Sequence, residues 1–394
     1  MELNGVTKTM NVLHNFILNT KNMMNLFVLG DNYYPNKIKE KNKEKKKIMN
    51  VEHLMSGVEC INQIPILNSK KYILLGNHDL DNDAFDSNFH CNILKIQSEF
   101  FKQHKMNFFS FGKRFQSKII GNNTLIILLD TTMYETMSDV EMMKYLECYN
   151  IFENNTTTET LFTNISQLQH KQKHIVQTII SDLPADKNIK NIITMSHHPI
   201  LGIKYKEEAD VMKFDTYPLF VDLLCDEIYK KMQHCHFYHI SADVHQYQKS
   251  FIQIKNNDGV VVNVQQYVVG TGGADKDAEI PVSKWVGKRV LDDYKVDYTI
   301  TDSLCVNGFL DCKINYFSTR LDKDDDVLFD FINTETYVFK TPLASPHSSK
   351  RHFTKAKSMK KYHRHLSNIR FSKKYKMSKK KLASASTKKS SKHI

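Results

Sequence analysis

Leu26-Phe27-Val28-Leu29-Gly30-Asp31-Asn32-Tyr33-Tyr34 runs from four apolar residues directly into a polar turn. Three later stretches repeat the pattern. Residues 72–75 lead into Gly76-Asn77-His78-Asp79, residues 192–195 into Ser196-His197-His198-Pro199, and residues 237–240 into Ala242-Asp243-Val244-His245. Short apolar runs that end in polar turns read as buried parallel strands. In open α/β sheets, ligands bind just beyond the carboxyl ends of such strands. One sheet edge is therefore predicted to gather Asp, Asn, His and Tyr side chains. Carboxylate, amide oxygen and imidazole suit a hard or borderline divalent or trivalent cation, and the absence of cysteine from these motifs argues against a thiolate zinc site. One carboxylate among several donors can bridge two ions about 3.5–4 Å apart, an arrangement that polarises a phosphoryl group.

On these four motifs the chain resembles the calcineurin-like metallophosphoesterases. Gly30-Asp31-x-x-Tyr34 makes it most similar to the small purple, tartrate-resistant type acid phosphatases. The apolar run ending Asp130-Thr131 and the Val268-Val269-Gly270-Thr271-Gly272-Gly273 segment agree with that branch. The resemblance covers roughly residues 30–273. It implies an α/β fold, the four-layer α-β-β-α sandwich with two facing mixed sheets and helices outside.

The same resemblance implies a ligand set of Asp31, Tyr34, Asn77, His197, Asp243 and His245. Asp31 would bridge two ions, iron with zinc, manganese or iron. Tyr34 would be a phenolate ligand to ferric ion, with a visible charge-transfer band. Asn77, His197 and Asp243 would serve the other ion. A metal-bound hydroxide would attack phosphorus while His78 assists the leaving alcohol, and Asp79 would orient His78. An imidazole with an ordinary pKa near 6.5 can do this near neutral pH. His198 is expected beyond the ligands or facing substrate, and His236 and His239 are expected to be structural.

Two departures from the family's pattern stand out. Where the family has Gly-His-x-His, this chain has Ala242-Asp243-Val244-His245. An oxygen ligand there shifts preference from zinc toward iron, manganese or magnesium. The family's first aspartate motif has no counterpart in residues 1–26, whose one acidic residue is Glu2. The chain is thus expected to begin after the first strand, which would leave one ion if that site is lost.

The 394 residues are 41% hydrophobic and 25% charged, the balance of a soluble globular protein. No apolar run is long enough to span a membrane, and no secretory leader is read in residues 1–26. The location is therefore expected to be intracellular, cytoplasmic or nuclear. Asn122, Asn154 and Asn164 lie in Asn-x-Ser/Thr acceptors expected to stay unmodified. The seven cysteines, scattered and odd in number, fit a reducing compartment.

Net charge is unevenly distributed. Residues 345–394 hold 17 of the 55 Lys/Arg and none of the 43 Asp/Glu, so the remainder has 38 against 43, a formal −5. A metallophosphoesterase domain over 1–340 and a basic, disordered tail over 345–394 are expected. The tail suits RNA, DNA or an anionic membrane surface, and Lys379-Lys380-Lys381 and Lys388-Lys389 suit nuclear address signals. Lys37 to Lys47 reads as a solvated loop or helix face, or as a basic rim that draws anionic phosphate esters.

Helices are predicted over 7–22, 93–104, 167–183 and 219–232. A hairpin is predicted about Asn256-Asn257-Asp258-Gly259, with further strands over 307–339. The polar, Asn/Thr-rich residues 133–163 read as a long excursion over the active face. Gly270 to Gly273 lacks the Lys-Ser/Thr of a P-loop. The leading expectation is a metal-dependent phosphoric-ester hydrolase. Its rivals are a degenerate member that binds phosphate groups or partners, and a nuclease or scaffold directed to nucleic acid by the tail.

Overall fold

In the computed structural model the described residues are 5–20, 24–32, 36–38, 46–48, 51–80, 92–108, 117–121, 123–135, 139–153, 162–185, 187–270, 276–291, 293–314 and 327–340. The chain divides into two units, Met1–Pro342 and Leu343–Ile394. The expected tail lies outside the described residues, as do Tyr34 and the Gly272-Gly273 pair.

The first third of the chain runs α1 (Gly5–Leu18), β1 (Leu26–Val28), β2 (Asn36–Ile38), β3 (Lys46–Ile48), α2 (Val51–Gln63), β4 (Lys71–Ile73), α3 (Asn92–Gln103) and β5 (Asn107–Phe108). It continues through β6 (Ser117–Ile120), β7 (Thr124–Leu128), α4 (Asp139–Glu153), α5 (Ile165–Ser181), β8 (Asn191–Met195), β9 (Gly202–Lys206), β10 (Val211–Asp215) and α6 (Pro218–Leu224). The later strands are β11 (His236–Ser241), β12 (Tyr247–Asn256), β13 (Val261–Val269), β14 (Val286–Leu291), β15 (Tyr294–Leu304), β16 (Gly308–Ile314) and β17 (Val327–Asn333).

Two main sheets result. The smaller has the order β1-β4-β5, parallel throughout. The larger has the order β14-β15-β12-β13-β11-β8-β7-β6, with β7, β8, β11 and β13 parallel and the flanking strands antiparallel. The four apolar runs are thus parallel strands, two in each sheet. β7 and β8 are buried at every position, whereas β12 and β15 alternate buried and exposed. That contrast is expected when central strands are covered on both faces and outer antiparallel strands on one.

The strand period of two sorts side chains into three apolar layers. Phe27, Leu29, Tyr72 and Leu74 of the small sheet meet Ile126, Leu128, Ile193, Met195 and Tyr238 of the large one. Val28 and Ile73 face the other way, onto Leu54, Val58 and Ile61 of α2 and Ile93 and Phe101 of α3. Ile127 and Ile192 face Tyr149 of α4, Val176 of α5 and Phe220 of α6. The order helix, sheet, sheet, helix is the four-layer sandwich that the sequence implied. β16 and β17 add an antiparallel strand pair to the middle layer, where Phe329 rests on Tyr238 and Tyr267 and Phe331 stacks on Tyr247.

Local signals explain several boundaries. Asn164 caps α5 by accepting from the Gln167 N–H at 3.1 Å, and Gln167 reaches back to the Thr163 N–H at 2.7 Å. Pro218 opens α6. Fully buried Lys71 donates to the Ile61 and Asn62 carbonyls at 2.9 and 2.8 Å, satisfying the orphan end of α2.

Four expectations need correction. Residues 133–163 are not a long irregular excursion: they contain α4, because Tyr145, Leu146, Cys148 and Tyr149 recur at helical spacing and are buried. The 219–232 helix changes to a π turn over Cys225–Tyr229. Of the lysine-rich stretch, read as a loop or helix face, the two ends form β2 and β3, an antiparallel pair, and residues 39–45 lie outside the described residues. Cys148 is disulfide-bonded, unlike the uniformly reduced cysteines the sequence suggested, while Cys60, Cys225, Cys235, Cys305 and Cys312 are free thiols. Among the described residues, no helix is long and apolar enough to cross a membrane.

Candidate metal centre

The carboxyl ends of β1 and β4 meet first. A Cβ on Gly76 would lie 2.2 Å from Asp31 Oδ1, and one on Gly30 would lie 2.5 Å from the Gly76 nitrogen. Two glycines are therefore what allow the two motif loops to touch. Asp31 has a left-handed φ of 55°, as Asp243 does at 59°. Such backbone is sparse for residues with a side chain and clusters at functional sites. The Asp31 carboxylate accepts the His78 N–H at 3.0 Å.

Asp79 lies beneath the two motif loops. Its side chain is 2% exposed and turns inward. It accepts from Gly76 N at 2.9 Å, from Asn32 N and Nδ2 at 3.3 and 3.2 Å, and from Gln97 Nε2 at 2.9 Å. Asp79 braces the two motif loops against α3. Burial, aided by the nearby Asp31 charge, pushes its carboxyl up to about 6.

The larger sheet supplies the other half. His197 follows β8, and its Nδ1 lies 2.8 Å from the Leu29 carbonyl oxygen, which bridges the two sheets. A carbonyl only accepts, so Nδ1 carries the proton and Nε2 presents a lone pair in the neutral ring. Nε2 is buried without a hydrogen-bond partner, 3.4 Å from Asp31 Oδ1 and 4.0 Å from Asp243 Oδ1. A lone pair and two anionic oxygens at such distances repel unless a positive charge lies among them. Burial disfavours protonation of His197, but Asp31 and Asp243 outweigh it and raise its pKa.

His198 is fully buried, and burial with neighbouring His197 drives its pKa down to about 3. Its N–H donates to Thr131 Oγ1 at 2.9 Å, its Nδ1 lies 3.0 Å from the same oxygen, and its Nε2 is also without a partner. Donor atoms of His197, His198 and Asp243 all lie within 4.8 Å of one another. His198 is thus an additional nitrogen near the cluster.

Asp243 divides its oxygens. Oδ1 faces His197, and Oδ2 lies 3.5 Å from Lys204 Nζ, which also lies 3.6 Å from Asp215. Burial pushes the Asp243 carboxyl up, but His198, His197 and Lys204 prevail and hold it below its ordinary value. The loop is kept close by Gly270, where a Cβ would collide with the Val244 carbonyl at 2.0 Å. His245 is placed by its backbone, donating to Asp277 Oδ2 at 2.9 Å, and is not part of the His197 cluster. Asn77 Nδ2 donates to Glu135 Oε1 at 3.2 Å. Behind the site, fully buried His239 lies 2.9 Å from Thr194 Oγ1 and 3.2 Å from Ser196 Oγ, and burial lowers its pKa to about 4, while His236 is exposed.

The structure therefore brings together Asp31, His197, His198 and Asp243, with Asn77 and His78 on the adjoining loop. Glu135, Thr131, Lys204 and Asp277 were not legible as site residues. Only the Asp130-Thr131 strand end carried a signal, since it follows an apolar run as the other motifs do. Two buried imidazole nitrogens without partners, facing carboxylate oxygens, form a donor set that suits a divalent cation.

Comparison with known families gives the same class. The calcineurin-like phosphoesterase profile matches residues 5–229, more than half of the chain. This chain belongs to the calcineurin-like phosphoesterase family, whose members use divalent metal ions to hydrolyse phosphoesters. Two solved structures are similar to it. One is PhoD, at 11% identity and TM-score 0.43, covering 76% of this chain and 60% of that one. The other is the phosphopantetheinyl hydrolase PptH of Mycobacterium tuberculosis, at 12% identity and TM-score 0.29, covering 56% and 75%. The chain thus spans 60% of the length of the PhoD structure it matches. Comparison with curated proteins finds no match.

Proposed function

We propose that this chain hydrolyses phosphoric esters with a cation held by Asp31, Asn77, His197 and Asp243. The observation that carries the reading is the buried His197 Nε2, without a hydrogen-bond partner and facing Asp31 and Asp243. When bound, such a cation polarises phosphoryl oxygens and makes water nucleophilic near neutral pH.

The protein's own groups supply the rest. Leu29 fixes the His197 tautomer, and Asp31 anchors the backbone of half-buried His78. His78 gives a proton to the departing alcohol. Lys204 offsets the carboxylates and attracts the anionic ester. In the fuller form of this reading, Tyr34 and His245 hold a second ion, iron among the candidates, as in purple acid phosphatases, and residues 1–26 lack one of that ion's carboxylates. The domain over 1–340 does the chemistry, and the basic residues 345–394 bring it to nucleic acid or an anionic surface.

The test is hydrolysis of p-nitrophenyl phosphate by the full chain, stripped of metal and then supplied with Mn²⁺ or Fe²⁺. Cation-dependent turnover that Asp31→Ala abolishes is expected. Turnover unchanged by Asp31→Ala would refute the reading. A second reading, a member that binds phosphate groups without turnover, draws on Lys204, which already pairs with the Asp243 carboxylate through Oδ2. Phosphate binding without hydrolysis would favour it.

A further inference from the structure

We infer that Glu135 is a positioning residue that aims the Asn77 amide oxygen at the cation site; this rests on the proposed metal centre. Asn77 follows β4 in the small sheet, whereas Glu135 ends the turn after β7 in the large one. The bond between them, Asn77 Nδ2 to Glu135 Oε1 at 3.2 Å, crosses from one sheet to the other.

Chemistry fixes the direction of that bond. An ionised carboxylate only accepts, so it must take the amide's NH₂ end. With Nδ2 tied to Glu135, Oδ1 is left to face the opposite side, where it also accepts the His78 N–H at 3.0 Å. Without an acceptor at Glu135 the amide can rotate, and its NH₂ end cannot ligate a cation. Groups behind a ligand that fix its orientation typically change metal affinity by about 10–100-fold.

The turn that carries Glu135 is held rigidly enough for this. Asp130 is 1% exposed and accepts from the Thr132 backbone N–H at 3.0 Å and from the Tyr149 hydroxyl. Gln172 of α5 holds the Asp130 backbone from both sides, accepting its N–H at 3.1 Å and donating to its carbonyl at 3.0 Å. The Tyr134 N–H closes onto the Thr131 carbonyl at 3.0 Å. The same turn contacts His198 through Thr131 Oγ1. One braced turn thus steadies two of the four motifs.

The test is calorimetric titration of Mn²⁺ into the metal-free full chain. Glu135→Ala is expected to weaken binding by about 10–100-fold. Glu135→Gln keeps an acceptor oxygen at the same reach and is expected to stay within about threefold of the parent. In an Asn77→Ala background, Glu135→Ala should cause no further loss, because its effect runs through that amide. Unchanged affinity in Glu135→Ala, equal loss in Glu135→Gln, or additive losses in the double variant would each overturn the inference. Should Glu135→Ala not fold, Glu135→Asn, too short to reach the amide, replaces it. Failure of the parent chain to bind Mn²⁺ would instead contradict the metal centre itself.

Discussion

His197 Nε2 lies 3.4 Å from Asp31 Oδ1, although the two residues belong to different sheets. Nothing in the local sequence of either residue requires that meeting. It follows from stacking the two sheets with their strand ends at one edge, and from the Leu29 carbonyl that accepts the opposite side of the same ring. A buried imidazole flanked by carboxylates is a place where a proton and a metal ion compete.

That competition sets a pH dependence. The raised pKa of His197 means that the metal-free protein keeps a proton there over a wider range than an ordinary histidine. Bound cation must displace it. Apparent affinity for Mn²⁺ is therefore expected to fall as pH falls, by up to about tenfold per pH unit from this one proton. Titrations at pH 8, 7 and 6, with the proton release read from buffers of different ionisation heat, check this. Affinity independent of pH would count against His197 as a ligand.

Replacing His197 by Ala removes a direct ligand and should weaken cation binding by at least ~100-fold, the upper end of what orienting groups contribute. His239→Gln, behind the site, should leave affinity within about tenfold while lowering stability through its Thr194 and Ser196 contacts. Parallel titrations and thermal melts separate the two effects.

The legible and illegible parts divide along physical lines. Each of the four apolar runs formed the strand expected, and the Asn256 to Gly259 turn joins β12 to β13 as read, with Gly259 at φ 82°. These signals are local: burial on both faces demands continuous apolar residues, and a tight turn demands a residue tolerant of positive φ. Glu135, Lys204 and Asp277 were illegible because a charge in a polar stretch looks the same whether it faces solvent or a site. Residues 133–163 misled for a related reason. Tyr145 and Tyr149 are polar at their hydroxyls yet wholly buried, so the apolar stripe of α4 was hidden among polar neighbours.

Lys71 provides a test of the small sheet alone. Burial lowers its pKa to about 8, with Glu59 opposing, against 10.5 for a free lysine. Between those values the unfolded chain binds more protons than the folded one, so this group makes stability rise with pH. Compared with Lys71→Met, the parent should gain about 2 kcal/mol from pH 7.5 to 9.5. Urea unfolding of both proteins at the two pH values measures it, and a constant difference would show that Lys71 titrates normally.

Gln266 holds the loop after His198. Its Oε1 accepts from the Ile200 and Leu201 N–H groups at 2.8 and 3.2 Å, and its Nε2 donates to the Leu201 carbonyl at 2.9 Å. Gln266→Leu leaves those buried groups unpaired and should cost about 2–4 kcal/mol. Denaturant midpoints give the value, and a loss below about 0.5 kcal/mol would mean that the loop finds other partners.

The most direct test of the metal centre is calorimetric titration of Mn²⁺ into the EDTA-stripped full chain, side by side with Asp31→Ala. Saturable binding in the parent that is lost in the variant is the expected result. Heat of dilution alone in the parent, or equal binding in both proteins, would contradict the account.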